Sequence, residues 1–230
     1  HRAEARAAGL FPWWSSREAR NAKWAPLASA LHRFDYAWFP FQPWVMHLHS
    51  LLWWLALVSA AAFLYRTVDG GAPVVAALAA GLFTLDDAHG FSLGWVANRH
   101  ELVASVFGCL ALAASLRPGL LWRVAGPVLW ALALLSGEYA LCFGGYLAAS
   151  LLLDGSRWRR VGTLLPFAVL TGVWGLLYLQ RGNTMVDLDA YVSPLSLRFL
   201  PRLALNGPIL QGAQWGLLWS DPTPLLPTAV

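Results

Sequence analysis

The amino-acid sequence predicts an all-α protein, a polytopic bundle of about six transmembrane helices with an amphipathic arm. Hydrophobic residues make up 58% of the 230 residues, and the mean hydropathy is +0.52. Charged residues make up 12%, about half of the roughly 25% that is usual in soluble domains. Long apolar runs alternate with short polar turns, and many of the 14 tryptophans lie near run ends, where membrane interfaces favour them.

Residues 1–43 form a predicted arm on the outer face of the membrane. Four prolines punctuate the arm, and residues 27–39 have the pattern of an amphipathic helix that lies on the membrane surface. Residues 44–230 are predicted to form one transmembrane domain. The chain opens at His1 in a polar stretch and closes in a proline-rich segment, so we expect it to be part of a longer protein, truncated at both ends.

The predicted helices follow the apolar runs in order. Runs 44–65 and 161–179 match one bilayer thickness, whereas run 73–85 is short for a full span. The other runs are 93–116, 120–135, 139–153 and a weaker stretch, 203–219. We find no repeat and no second domain.

The basic residues lie mainly in turns on one predicted face of the membrane. Alternating the turns gives that face Arg66, Arg117, Arg123, Arg157, Arg159 and Arg160, and gives the other short turns Arg99 alone. The excess predicts a cytoplasmic location for the first face, although the arm carries further cations on the other one. Basic residues spread over turns do not form the basic stripe of a nucleic-acid-binding protein. We therefore expect the lipid bilayer, and no nucleic acid, as a partner.

The turn 86–101 holds six ionisable side chains between two apolar runs. Such groups are costly in a membrane and usually face a wet cavity or a partner. Asp86 and Asp87 could bind a divalent metal ion, or one could be a general base. Asn98 and Glu101 are spaced i, i+3 and would share a helix face, and Arg99 with a histidine could bind a phosphate. The alternative is a hydrated interfacial turn with a capping side chain.

Five further polar residues are predicted near this turn. Glu138 belongs to the same predicted face and either closes the cavity or meets the start of a helix. His47 and His49 are spaced i, i+2 and lie on nearly opposite sides of a helix, so one of them would face the cavity. His32 and Asp35 are spaced i, i+3, which allows a contact within the arm helix or a structural ion pair.

Four segments, in order, resemble motifs of one superfamily. Residues 24–36 (WAPLASALHRFDY) resemble the pattern (F/W)RPL-x4-H-x2-DY, and residues 42–52 (QPWVMHLHSLL) resemble the span that follows it. Residues 82–102 resemble LFA-x-HP-x-H-x-E-x-V-x-W-x3-R-x-(D/E)-L, and residues 136–138 (SGE) resemble an SKE turn. These motifs occur in multi-spanning sugar transferases of the GT-C superfamily, close to the protein O-mannosyltransferases and the transmembrane-and-TPR mannosyltransferases.

The resemblance implies a polyprenyl-phosphate sugar donor and transfer on the non-cytoplasmic side, which in a bacterial inner membrane is the periplasmic side. It also implies a catalytic Asp in a first outer loop, upstream of His1. Matching positions suggest that the active-site cavity is lined by His89, Arg99, Glu101 and Glu138. The sequence departs from the pattern where Asp86-Asp87 replace His-Pro and where Gly137 replaces the turn Lys.

The leading hypothesis is therefore a glycosyltransferase in which Arg99 neutralises the donor phosphate and a carboxylate takes the acceptor proton. The candidate catalytic residues are Asp86, Asp87, Glu101 and Glu138. The candidate substrate-binding residues are His32, Asp35, His47, His89, Asn98 and Arg99. A divalent metal on Asp86 and Asp87 is the cofactor considered. The rival hypotheses are a transporter or flippase of a lipid-linked or polar substrate and an inactive membrane scaffold.

Overall fold

The computed structural model describes residues 24–70, 72–86, 89–153 and 157–180, with Pro201 and Ala204. By its contacts the chain divides into two units, Lys23–Arg181 and a unit made of His1–Ala22 and Gly182–Val230. The helices described below all belong to Lys23–Arg181. The first 23 residues of the predicted arm, Asp87 and nearly all of the weak stretch 203–219 lie outside the described residues.

Within this described unit the chain forms eight α-helices and no strand, which confirms the all-α prediction. The first three helices each begin at a proline, which is favoured in a first turn because its missing N–H has no partner there. In chain order the helices are α1 (Pro26–Trp38), α2 (Pro43–Val68), α3 (Pro73–Leu85), α4 (His89–Gly94), α5 (Arg99–Ser115), α6 (Leu120–Ser136), α7 (Ala140–Leu153) and α8 (Arg157–Gln180), with a 3-10 turn (Val96–Asn98) before α5.

Two of these helices are long and apolar enough to cross a membrane. They are α2, with 26 residues, and the segment Gly162–Gln180 of α8, with 19 residues, each with a mean hydropathy of 1.6. Helices α3 and α6 and the segment Ala140–Ser150 are apolar but shorter. The predicted count of about six spans is not confirmed, since the 13 residues of α3 extend only about 20 Å against a hydrocarbon core of about 30 Å.

Helix α5 is the central helix of the bundle. Its side chains are buried along its length, from Leu102 and Val103 to Ala113 and Ala114, between α2 and α6. Small residues let the neighbouring backbones approach. At Gly108 the fit is tightest, because an added Cβ would lie 2.5 Å from the ring of Phe143 on α7.

Helices α2 and α5 run in the same direction and meet at both ends. Ser50, in the first part of α2, accepts a hydrogen bond from Arg99, the first residue of α5. Phe63, in the last part of α2, contacts Arg117, which follows α5. We call these the Arg99 end and the Arg117 end; the 17 residues of α5 separate them by about 25 Å.

Large apolar side chains cover outward faces of several helices. Over 40% of the residue's surface is exposed at Leu48, Leu51, Leu52 and Leu55 on α2, at Val74, Val75, Leu78 and Leu82 on α3, at Leu120, Leu121, Val124 and Val128 on α6, and at Leu165, Val169, Val173 and Leu176 on α8. Contiguous apolar surface of this kind marks contact with a partner or with lipid. The faces are therefore compatible with a bilayer as solvent.

Candidate functional site

Three consecutive residues at the Arg99 end face three different neighbours. Successive positions on a helix differ by about 100°, and Arg99, His100 and Glu101 occupy the first turn of α5. Arg99 faces α1 and α2, the His100 ring packs on Tyr139 at 5.4 Å, and Glu101 faces α4. The start of α5 thereby contacts the arm helix, α4 and the turn before α7.

Arg99 forms a closed ion pair in the interior. Its side chain and that of Asp35 are only 1% and 2% exposed, and Nη1 of Arg99 donates to Oδ2 of Asp35. The guanidinium also donates through Nε to the Ser50 hydroxyl at 3.0 Å and through Nη2 to the Met46 carbonyl at 2.6 Å. A buried charge pair is tolerated only when its hydrogen bonds are made, and here they come from the protein itself.

His49 completes this cluster in one defined tautomer. The indole N–H of Trp53 donates to His49 Nε2 at 3.0 Å, so Nε2 is the acceptor nitrogen. Nδ1 therefore carries the proton and donates to Oδ1 of Asp35 at 2.7 Å. The 3.0 Å approach of Arg99 Nη1 to the same Nδ1 is then a contact of two donors, and both bond the carboxylate of Asp35.

The remaining residues predicted for the arm lie around this Arg99 cluster. His32 is half-buried, and burial, followed by the nearby positive charge of Arg99, lowers its pKa below the usual 6.5. The hydrogen bonds of Asp35 go to Arg99 and His49, so they do not form the predicted contact with His32. His47 is exposed, and of the two α2 histidines it is His49 that points inward, as the i, i+2 spacing allowed.

Glu101 accepts hydrogen bonds from two neutral side chains. Ser92 Oγ on α4 donates to Oε2 at 2.5 Å, and Asn98 Nδ2 donates to Oε1 at 2.8 Å. Asn98 is buried and Glu101 is half-buried. The carboxylate of Glu101 is thus held in one orientation and remains partly accessible, whereas the carboxylate of Asp35 is fully buried.

The accessible side of Glu101 opens into a cleft of about 600 Å³. Most of its wall is apolar, and two parallel stretches define its length, Leu57 to Val68 on α2 and Glu101 to Leu112 on α5. Each stretch rises about 16 Å. The polar end is formed by His89, Ser92, Glu101 and Tyr139, and the rest of the described lining is Ala61, Leu64, Tyr65, Phe83, Leu102, Ser105, Cys109, Phe143 and Tyr146.

His89 is fixed at the polar end by its neighbour on α3. Its Nε2 lies 2.8 Å from the Phe83 carbonyl oxygen, so Nε2 carries a proton and donates it to that oxygen. The ring also packs edge-on against Phe83 at 4.5 Å between centroids. Within the part of the chain that the structure describes, no hydrogen bond is formed by the second ring nitrogen, Nδ1.

Two of the other predicted catalytic carboxylates, Asp86 and Glu138, are not among the described residues that line this cleft. Asp86 is exposed where α3 ends, Glu138 is half-buried in the turn before α7, and Asp87 lies outside the described residues. Within the described ranges no group of three His, Cys, Asp or Glu could hold a metal ion. Gly137 has a φ of +155°, and a Cβ there would lie 3.2 Å from the His100 ring, so a lysine at this position would be strained.

Arg99 also departs from its predicted role. It was expected to contact a donor phosphate, but its guanidinium is bonded to Asp35, Ser50 and Met46, and the residue does not line the cleft. Sequence reasoning missed Ser50 and Trp53; the i, i+4 spacing of His49 and Trp53 was the one local signal.

Searches against family models, curated proteins and solved structures found no match for this chain.

Proposed function

We propose that this protein is an integral, multi-pass membrane protein that binds an amphiphilic lipid in its cleft and acts as a glycosyltransferase on a polyprenyl-phosphate sugar. The observation that carries the proposal is the cleft itself. An apolar slot about 16 Å long ends at a polar group of His89, Ser92, Glu101 and Tyr139. A lipid tail fits the slot, and a polar head group fits its end.

Membrane insertion is supported by the two long apolar helices and by the exposed apolar faces of α2, α3, α6 and α8. The positions of the polar residues support the same orientation as the arginine count. The cleft's polar end lies at the Arg99 end, whereas Arg117 and Arg123 lie at the other end. The positive-inside rule then places the polar end on the non-cytoplasmic face.

Glu101 is the group that we assign as general base. Its oxygens are oriented by Ser92 and Asn98, and it is the one carboxylate among the described residues of the cleft. In the transfer, Glu101 takes the proton of the acceptor hydroxyl, and that oxygen forms a bond to the anomeric carbon of the sugar. The bond from that carbon to the phosphate oxygen breaks, and polyprenyl phosphate leaves with the electron pair.

His89 is the group that we assign to the donor phosphate. No Arg or Lys occurs among the described lining residues, so an imidazolium is the cation that this end of the cleft can offer. Nε2–H is already donated to the Phe83 carbonyl, and protonated Nδ1 would donate to a phosphate oxygen. Arg99 then acts by positioning α1 and α5 rather than by contacting the substrate.

A lipid-binding protein without catalysis is the second candidate function. The ion pair of Arg99 favours this second candidate, because the cation expected to neutralise a donor phosphate is bonded to Asp35. The two candidates share the cleft and differ in what Glu101 does, so one pair of assays separates them.

The test is loss of label from a lipid donor in membranes that contain the protein. Membranes receive polyprenyl-phosphate [14C]mannose and, separately, a photoreactive polyprenyl phosphate for crosslinking. We expect Glu101→Gln to abolish label transfer and to keep crosslinking, whereas Asp69→Asn, an exposed carboxylate change at the other end of α2, leaves both intact. Crosslinking without transfer by the wild type would support the non-catalytic candidate.

Blocking the cleft tests lipid binding directly. Ser105 lines the cleft on α5, and Ser105→Trp should abolish crosslinking because the indole fills the slot. The matched control is Ser59→Trp on α2, at an exposed position, which should crosslink as the wild type does. Equal crosslinking by both variants would exclude the cleft as the lipid site.

A further inference from the structure

A second, smaller pocket lies at the Arg117 end, about 20 Å along α5 from Glu101. It encloses about 110 Å³ between the end of α5, the turn before α6 and the first part of α8. Its described lining includes Arg117, Arg123 and Thr163 and no Asp or Glu. The proposed transfer reaction makes no use of this pocket.

Arg117 is held in place by two aromatic rings. Its Cζ lies 4.2 Å from the ring centroid of Phe63 and 4.9 Å from that of Trp122, within the range of cation–π attraction. The two rings pack against each other at 6.1 Å and a tilt of 37°. The aromatic faces fix the plane of the guanidinium, and its N–H edges remain for an acceptor.

Arg123 brings a second positive charge to the same pocket. It lies in the first turn of α6, which starts after Gly119 without a side-chain cap. Amide groups in such a turn lack helical partners, and the dipole of the 17-residue helix favours an anion there. This helix start adds to the arginine pair, and the pair and the pocket carry the argument.

We infer that this pocket binds a phosphate group through Arg117 and Arg123. Its volume equals that of three or four water molecules at about 30 Å³ each, which suits a tetrahedral phosphate and excludes a sugar. Arginine is the residue best matched to phosphate oxygens, because its planar fork donates two parallel hydrogen bonds. The group comes from an anionic phospholipid of the cytoplasmic leaflet or from free phosphate, since both present the same oxygens.

The experiment measures the melting temperature of the full chain in neutral detergent. The probes are short-chain phosphatidylglycerol, inorganic phosphate, and sodium chloride at equal ionic strength. A ligand that binds only the folded state raises the melting temperature as its concentration rises. We expect phosphatidylglycerol or phosphate, but not chloride, to raise that of the wild type.

The variants locate the site. Arg123→Gln, an exposed change that leaves the aromatic contacts intact, should raise the half-saturating concentration about tenfold, because one charge-assisted hydrogen bond is lost. The double variant Arg117→Gln with Arg123→Gln should abolish the shift in melting temperature. The matched control Arg66→Gln, at an exposed arginine on the same predicted face, should keep it.

The probes identify the ligand. A shift with phosphate assigns the site to a free anion, and a shift with phosphatidylglycerol alone assigns it to a lipid head group. The proposal is overturned if no probe shifts the wild type or if Arg123→Gln and Arg66→Gln behave alike.

Discussion

Arg99 and Glu101 stand two residues apart and occupy opposite kinds of environment. Arg99 is 1% exposed and bonds only groups of the protein, including Asp35 across 64 positions of sequence. Glu101 is half-buried, is bonded by two neutral side chains, and borders the cleft. The contrast teaches that a polar residue in an apolar protein is not by itself a functional residue. What separates the two is whether the protein supplies every partner.

The largest expected effect is a loss of stability when the buried ion pair of Arg99 and Asp35 is broken. Arg99→Met leaves the carboxylate of Asp35 buried without its main partner, and we expect it to destabilise the fold by about 3–5 kcal/mol. Unfolding in detergent, followed by circular dichroism, measures the loss. The double variant Arg99→Met with Asp35→Leu should recover much of it, because no unpaired charge remains. A double variant as unstable as Arg99→Met alone would contradict the ion pair.

Gly108→Ala tests the packing of α5 against α7 beside the cleft. The added methyl would meet the Phe143 ring at 2.5 Å, so the ring must shift, at a cost of about 1–3 kcal/mol. Phe143 lines the cleft, and the same change should weaken crosslinking of the photoreactive lipid. Gly145→Ala on α7 is the control, because nothing lies within 4 Å of its Cβ position. Equal stability of both variants would show that α5 and α7 are less closely packed.

Glu101→Gln tests whether the partly exposed Glu101 contributes to the stability of the fold. The amide keeps the shape of the carboxylate, and the Ser92 hydroxyl can turn to accept from it, so we expect a stability change below about 0.5 kcal/mol. The measurement is the same unfolding assay. A loss as large as that of Arg99→Met would mean that Glu101 is a structural residue, and the distinction between the two would fail.

The smallest expected effect is a dependence of stability on pH. Burial and Arg99 lower the pKa of His32 from 6.5, so the unfolded chain binds more protons than the folded chain below that value. The contribution of neutral His32 is therefore complete above pH 6.5 and is lost as the pH falls through the lowered pKa. Between pH 7.5 and pH 5 the melting temperature should fall less steeply for His32→Gln than for the wild type. Parallel curves would mean that folding does not lower the pKa of His32.

Local patterns in the sequence predicted many of the helices of this fold. They could not predict the contacts between residues that are distant in the sequence. The run 73–85 became α3 with the same bounds, because a proline starts it and a carboxylate follows it. The run 93–116 was predicted as one helix, yet a 3-10 turn separates α4 from α5. Hydropathy could not reveal that turn, because Trp95, Val96 and Ala97 continue the apolar pattern through it.

In the candidate site, too, local spacing predicted contacts within one segment but not contacts between distant segments. Asn98 and Glu101 were predicted to share a face, and they form a direct hydrogen bond, because the i, i+3 spacing is local. The Arg99–Asp35 pair depends on how α1 packs against α5, which no spacing encodes. His47 was chosen as a substrate-binding residue and is exposed, whereas its neighbour His49 is half-buried. The i, i+2 spacing puts the two on nearly opposite sides of the helix but does not show which side is buried.

Helices α2 and α5 are tied together by an arginine at each end, through Ser50 at one end and through Phe63 at the other. The slot between them runs from Leu57 to Val68 on α2 and from Glu101 to Leu112 on α5, and the two arginine contacts oppose sliding of one helix along the other. If the slot binds a lipid as proposed, it can hold about 16 Å of a tail that enters at Glu101, and the rest of a longer tail would extend into the surrounding lipid. Under that proposal, the length of the slot, rather than the length of the lipid, sets how much of a tail the protein binds.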